Sequence, residues 1–96
     1  MKYYFHPEAQ IELSDAIEYY EKCEPGLGID FYTEILSSIE KITDFPEAWT
    51  VMEDDIRRCL LNRFPYGIIY SVEPEKIYIV AVMNLHRDPQ YWQNRL

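Results

Sequence analysis

The stretch Ile56–Met83, IRRCLLNRFPYGIIYSVEPEKIYIVAVM, decides the fold of this chain. It contains three runs that predict strands, Ile56–Asn62, Tyr66–Val72 and Lys76–Met83, and the last two are rich in β-branched and aromatic residues. The connection Glu73-Pro74-Glu75 is short enough to join the last two strands as a hairpin. The C-terminal half is therefore predicted to form an antiparallel meander.

The two faces of the middle strand differ in size, with Tyr66, Ile68, Tyr70 and Val72 on one face and Gly67, Ile69 and Ser71 on the other. Successive side chains of a strand point to opposite faces of its sheet. We therefore expect the bulky face to pack on helices. The smaller and more polar face is expected to line a shallow open groove.

The residues upstream of this stretch predict one strand and two helices. Tyr3–His6 is short, aromatic and extended in character. Apolar residues recur at helical spacing from Pro7 to about Cys23 and again from Leu27 to about Thr43. Glu24-Pro25-Gly26 breaks the helical pattern, so the two helices should pack as an antiparallel αα-hairpin.

The chain is predicted to be one α+β domain spanning residues 1–96, with the order β-α-α-β-β-β-α and an antiparallel sheet packed on the αα-hairpin. The last helix of that order is expected to start at Pro89, with Asp88 as its N-cap. No internal repeat or linker divides the 96 residues. One modest hydrophobic core is what a chain of this length can bury.

Several features bear on where the protein resides. No run of about 18 apolar residues is present, so no membrane span is expected. The segment Met1–Pro7 lacks the layout of a secretory signal. We therefore expect a cytoplasmic protein. Cys23 and Cys59 are far apart and fit reduced thiols, with Cys59 packing as a small apolar group.

The charge is unevenly distributed along the chain. Residues 1–55 hold 14 acidic and 3 basic side chains (−11), whereas residues 56–96 hold 3 acidic and 6 basic ones (+3), which gives the net charge of −8. An acidic total argues against broad non-specific binding to nucleic acid, which requires phosphate neutralisation. The basic residues of the second half are nevertheless close enough in sequence to build a site.

No pattern for a metal or cofactor site is present, because His6 and His86 are 80 positions apart and no CxxC, GxSxG or phosphate-binding Gly-rich motif occurs. We expect neither a metal nor a cofactor. The candidate functional residues are basic and aromatic, namely Arg57, Arg58, Arg63, His86, Arg87, Tyr91, Trp92 and Arg95. Arginine matches phosphate or carboxylate oxygens, histidine exchanges protons near neutral pH, and aromatic rings stack on bases or anchor interfaces. The set is compatible with RNA cleavage or with protein binding.

Each candidate also has a structural interpretation. Arg57 and Arg58 point to opposite faces of a strand, so only one can line a given groove. The other is expected to pair with the acidic run Glu53-Asp54-Asp55. Trp92 fits a core position better than a stacking platform. His86 should resist protonation beside Arg87, which leaves its role as a base open.

Three stretches resemble the RelE/ParE superfamily of toxins, often labelled plasmid stabilisation proteins. They are the front helix with Ala9, Asp15, Ile17 and Tyr19-Tyr20, the run Ile56-Arg57-Arg58 with Arg63–Tyr70, and Ile77–Met83 leading into His86–Pro89, Tyr91-Trp92 and Arg95. The resemblance covers nearly the whole chain. It implies a bacterial growth-inhibiting toxin of a type II toxin–antitoxin system, which a cognate antitoxin wraps and neutralises.

The resemblance implies one of two toxic activities. The RelE-like branch cuts mRNA on the translating ribosome without a metal, and Arg58, Arg87 and Tyr91 are the nearest matches to its catalytic residues, with His86 as a further candidate. The ParE-like branch inhibits DNA gyrase. Arg57, Arg63, Trp92 and Arg95 are then candidate binding residues.

The sequence departs from the nuclease pattern at three positions. Gly67 stands where the nuclease branch typically has an arginine, and Cys59 and Leu60 stand where it has further basic residues. We therefore favour the ParE-like side, a toxin that acts by binding a protein such as gyrase. The alternatives are an mRNA endonuclease and a non-toxic binding module that retains the fold. All three interpretations expect the arginines of the second half to gather in one positively charged hollow.

Overall fold

The computed structural model describes residues 1–96 and has the α+β architecture that the sequence predicts. Its elements are β1 (Lys2–Phe5), α1 (Pro7–Cys23), α2 (Leu27–Asp44), β2 (Thr50–Glu53), β3 (Ile56–Leu60), β4 (Tyr66–Glu73), β5 (Lys76–Asn84) and a final 3₁₀ turn, Gln93–Arg95. Neither helix combines the length and apolar character that a bilayer crossing requires.

The turn between α1 and α2 is built from a carboxylate and two glycines. The Glu21 carboxylate accepts hydrogen bonds from the backbone N–H groups of Gly26 and Gly28. Gly26 has a φ of +90°, a conformation that L-residues with a Cβ rarely adopt. A Cβ at Gly28 would lie 2.6 Å from the carbonyl oxygen of Ile17, so the helices approach closely there. The predicted αα-hairpin is confirmed.

The sheet has five strands in the order β1-β5-β4-β3-β2. Strands β2 to β5 form the antiparallel meander, while β1 lies parallel to β5 with Tyr3 opposite Ile77. The apolar strand β5 therefore has a neighbour on both sides, as its sequence suggests. The parallel pairing at the edge is the one exception to the antiparallel sheet.

Strand β2 was not predicted. Residues Thr50–Glu53 form a short strand that pairs antiparallel with β3. Asp54 turns the chain between them with a φ of 45°, which aspartate tolerates better than most residues. The Asp54-Asp55 pair is a weaker signal for a hairpin than Asn-Gly or Asp-Gly, so the sequence gives little indication of this turn.

The main core lies between the helices and the bulky face of β4, as predicted. Its centre is an aromatic cluster in which Tyr20, Phe31, Phe64 and Tyr66 have ring centroids 4.8–5.2 Å apart along four of their contacts. Cys59 is buried in the same core, and burial raises the pKa of its thiol. Edge-to-face and stacked rings of this kind stabilise a core beyond their area alone.

The opposite face of the sheet is not the open groove that we expected. Ile69 is fully buried there, and Trp92 covers it with only 1% of its own surface exposed. The same small core contains Ile56, Val80, Ala81 and Met83. The residues on this face are apolar enough that the chain buries them beneath its own last residues.

The helix predicted from Pro89 is absent, and the segment ends in the single 3₁₀ turn. Asp88 does act as a cap-like acceptor, because its Oδ1 takes a hydrogen bond from the N–H of Gln90 at 3.0 Å. Short helices are marginal unless packing supports them. Here Tyr91 packs against the same small core as Trp92 while its hydroxyl reaches Glu12 on α1, and these contacts fix an irregular path.

The buried hydroxyl of Tyr70 predicts that the stability of the fold depends on pH in the alkaline range. Its hydroxyl donates to the Pro46 carbonyl at 2.7 Å, and burial raises the pKa of Tyr70 from 10.0 to about 12. Because the fold favours the neutral phenol, stability is fully present below pH 10 and should fall as the pH rises from about 10 to about 12. Urea unfolding of the wild type and of Tyr70→Phe across this range measures the effect. The variant should lose less stability over that interval, and equal slopes would contradict the assignment.

Candidate functional site

Glu12 on α1 gathers the C-terminal segment of the chain. Its Oε1 accepts the N–H of Val82 at 3.0 Å and Nη1 of Arg95 at 2.9 Å. Its Oε2 accepts the hydroxyl of Tyr91 at 2.6 Å and Nη2 of Arg95 at 2.9 Å, with Nη1 of Arg87 at 3.5 Å. We call Glu12, Arg87, Tyr91 and Arg95 the Glu12 cluster.

The Glu12 cluster is built around a mostly buried ion pair. The side chains of Glu12 and Arg95 are 14% and 11% exposed, and Arg95 also donates to the Val80 carbonyl at 3.1 Å. A two-point contact between guanidinium and carboxylate is strong and directional. Hydrogen bonds to Glu12 raise the pKa of Arg95, so its positive charge is secured.

The tyrosine of the cluster lies beneath two guanidinium groups. The Cζ atoms of Arg87 and Arg95 are 3.8 and 5.0 Å from the centroid of the Tyr91 ring, within cation–π range. Burial and the hydrogen bond to Glu12 raise the pKa of Tyr91 well above its usual value. Tyr91 is therefore a neutral hydrogen-bond donor to Glu12 and is poorly suited to act as a base.

Sequence reasoning did not single out Glu12. The available signal was its position on α1, three residues after Ala9 and four residues before Ala16, both of which are buried. A carboxylate placed between small residues on the buried side of a helix needs partners there, because burying an unpaired charge is costly.

The remaining arginines are held at separate places. Arg57 donates to the backbone carbonyls of Glu47 and Trp49 at 3.0 and 2.8 Å. Neither Arg57 nor Arg58 forms an ion pair with the acidic run 53–55, so the expected pairing is wrong. Arg63 lies against α2, where it contacts Asp30 at 3.3 Å. Arg58 makes no hydrogen bond or ion pair through its side chain and lies opposite Ile69 on the other face of the sheet.

The expected single positive hollow is therefore wrong. Arg57 and Arg58 point to opposite faces, and Arg63 follows β3 on the helix side, so only Arg87 and Arg95 come together. His86 is exposed outside the Glu12 cluster, and its side chain makes no hydrogen bond.

Trp92 is a core residue rather than an exposed binding residue. Its Nε1–H is buried and has no acceptor in the protein. The structural interpretation of Trp92 is therefore the one that the geometry supports.

An open cavity of about 440 Å³ lies beside the Glu12 cluster. Its wall consists of His6, Glu8, Arg87, Tyr91, Asn94 and Arg95. His6 reaches it from the start of α1, where its Nδ1 accepts the N–H of Glu8 at 3.0 Å. Sequence reasoning had not grouped His6 with Arg87, because the two are far apart in sequence and only the fold brings them to one wall. The wall carries both signs of charge.

Comparisons with known proteins agree with this fold. Residues 3–89 match the model of a family described as the ParE toxin of the type II toxin–antitoxin system, parDE. A chain from the chromosomal ParDE TA system of P. aeruginosa is similar in structure, with a TM-score of 0.77 at 14% sequence identity over 90% of this chain and 97% of that one. A comparison with curated proteins gave no match. Tyr91, Trp92 and Arg95 lie beyond the residues matched by the family model.

Proposed function

The chain belongs to the ParE toxin family of type II toxin–antitoxin systems, and from this membership we propose that it stops growth by binding DNA gyrase rather than by cutting RNA. It is the toxin component of such a system, and its partner within the system is an antitoxin. Gyrase acts on the chromosome, so the proposed site of action is the cytoplasm.

The observation that carries this proposal is the internal use of the candidate catalytic groups. Cleavage of a phosphodiester requires positive groups and proton donors aimed at the charge that develops in the transition state. Here Glu12 already accepts hydrogen bonds from both terminal nitrogens of Arg95, Nη1 and Nη2, and from the hydroxyl of Tyr91. A substrate phosphate would have to displace a carboxylate that is mostly buried.

Arg58 and Arg87, the two arginines proposed as catalytic residues of a nuclease, support the same conclusion. Arg58 lies on the outer side of the sheet without a basic partner, and a Cβ at Gly67 would lie 3.4 Å from its Cγ. Arg87 lies over Tyr91 in the Glu12 cluster. An isolated arginine does not form a catalytic set, whereas it can form an ion pair across a protein interface. We propose that acidic residues of the antitoxin meet Arg58 and the exposed part of Arg87.

Two assays on the purified chain test the proposal. We expect inhibition of supercoiling by gyrase, together with intact transcripts on translating ribosomes. Arg58→Ala and Arg87→Ala are matched probes, because a nuclease would lose cutting in one or both. Cut transcripts with unaffected supercoiling would overturn the proposal in favour of the endonuclease. Harmless expression with neither effect would indicate a binding module that keeps only the fold.

A further inference from the structure

An apolar stripe on α2 has no partner within the molecule. Ile29, Tyr32 and Leu36 follow one another at i, i+3 and i+7, and their residues are 69%, 42% and 39% exposed. This spacing puts them on one flank of the helix, while Phe31 and Ile35 are buried on the side that faces the sheet. Contiguous exposed apolar residues on a soluble protein commonly mark an interaction site.

The hairpin that carries this stripe also carries the net charge of the protein. Residues 7–44 hold ten acidic and two basic side chains, whereas the rest of the chain holds seven of each sign. Some of these acids serve the fold, such as Glu12 and Glu21. Five exposed ones make no hydrogen bond or ion pair through their carboxylates, namely Glu8, Asp15, Glu24, Glu40 and Asp44.

Two of the free carboxylates continue the stripe along the same helix. Glu40 follows Leu36 by four residues on the same flank of α2. Asp44 follows Glu40 by a further four residues, at the end of the helix, and is exposed. We define the outer face of the hairpin as the stripe Ile29, Tyr32 and Leu36 together with Glu40 and Asp44. It combines an apolar centre with an acidic end.

We infer that this outer face is the surface that docks on the target protein, and that it takes a basic surface through which the target contacts DNA. The inference rests on the proposed function, because it names where the target binds on this chain. Enzymes that bind DNA carry Lys and Arg where they neutralise phosphates, so an acidic face complements such a surface. The apolar stripe adds affinity that salt does not screen.

Charge reversal on the outer face is the direct test. In Glu40→Lys/Asp44→Lys we expect the concentration that half-inhibits gyrase supercoiling to rise about tenfold or more, because complementary charges become repulsive. The matched control Glu47→Lys/Glu75→Lys changes the net charge equally, with carboxylates that are exposed, unpaired and outside the hairpin. The control should stay within about threefold of the wild type.

A second variant tests the contribution of the apolar stripe, and a competition assay tests whether the target surface is one that contacts DNA. Tyr32→Ser/Leu36→Ser should weaken inhibition while leaving circular dichroism unchanged, since both residues are exposed. Excess linear DNA should reduce binding of the wild-type chain to gyrase. Binding that DNA leaves unaffected would overturn the assignment to a DNA-contacting surface.

The outcomes separate the inference from the proposed function. A wild-type chain that neither binds nor inhibits gyrase would overturn both. Inhibition by the wild type with equal inhibition by both outer-face variants would overturn the inference alone. Variants that still inhibit gyrase but no longer bind the product of the adjacent antitoxin gene would assign the face to the antitoxin, which also overturns the inference.

Discussion

Replacing Glu12 with alanine should destabilise the folded protein by about 3–5 kcal/mol, because removal of one partner leaves a buried charge uncompensated. The Arg95 guanidinium, the Tyr91 hydroxyl and the Val82 N–H would all lose their acceptor at once. A chain of this length is expected to have a total stability of about 5–15 kcal/mol. The effect is therefore a large share of the total, and urea denaturation followed by circular dichroism measures it.

Glu12→Gln is the matched control for this substitution. It keeps one acceptor oxygen and the shape of the side chain but removes the charge that Arg95 requires. We expect a loss of stability between those of the wild type and Glu12→Ala. The double variant Glu12→Ala/Arg95→Met should lose less stability than the sum of the losses in the two single variants, because the two residues interact directly. Additive losses would show that the ion pair contributes little.

Trp92→Ala should lower the free energy of unfolding by about 3–5 kcal/mol, because it removes the packing contacts of a buried aromatic side chain. The indole covers Ile69 and its neighbours, so its loss would open the second face of the sheet to water. Exposed apolar surface of this kind binds hydrophobic dyes. Urea unfolding together with the fluorescence of such a dye in the native state reports both parts of the effect.

Trp92→Phe separates the two properties of the indole. It retains an aromatic ring over Ile69 and removes the buried Nε1–H that has no acceptor. A buried donor without a partner costs about 1–3 kcal/mol, so its removal offsets part of the lost packing. We expect Trp92→Phe to be much closer to the wild type than Trp92→Ala. If both lose the same stability, the ring does not cover the sheet as described.

The fold was predictable where the chain repeats a simple local pattern. The apolar spacing of α1 and α2 and the alternation along β4 each repeat several times, and Gly26 marks the break between the helices. Strand β2 has only four residues and depends on the left-handed conformation of Asp54, so the local sequence pattern predicts this strand only weakly. The parallel pairing of β1 with β5 joins residues more than seventy positions apart, which no short window of sequence reveals.

The site was predictable in residue type but not in arrangement. Arg87, Tyr91 and Arg95 were candidates because they are basic or aromatic and close in sequence. Their common acceptor, Glu12, lies on α1, and only the packing of α1 against β5 brings it there. Arg63 was grouped with them because it is basic and lies in the same half of the chain. Sequence alone does not show that its loop lies on the helix side of the sheet, against Asp30.

The partnership of β1 with β5 also has a consequence for how the chain assembles. During synthesis β1 and α1 leave the ribosome long before β5 exists, so Tyr3, Tyr4 and the buried side of α1 stay without their eventual neighbours. Contacts between distant segments form slowly because a long loop must close first. Newly made molecules therefore pass through a period in which this apolar surface is exposed to solvent. During that period chaperone binding competes with aggregation.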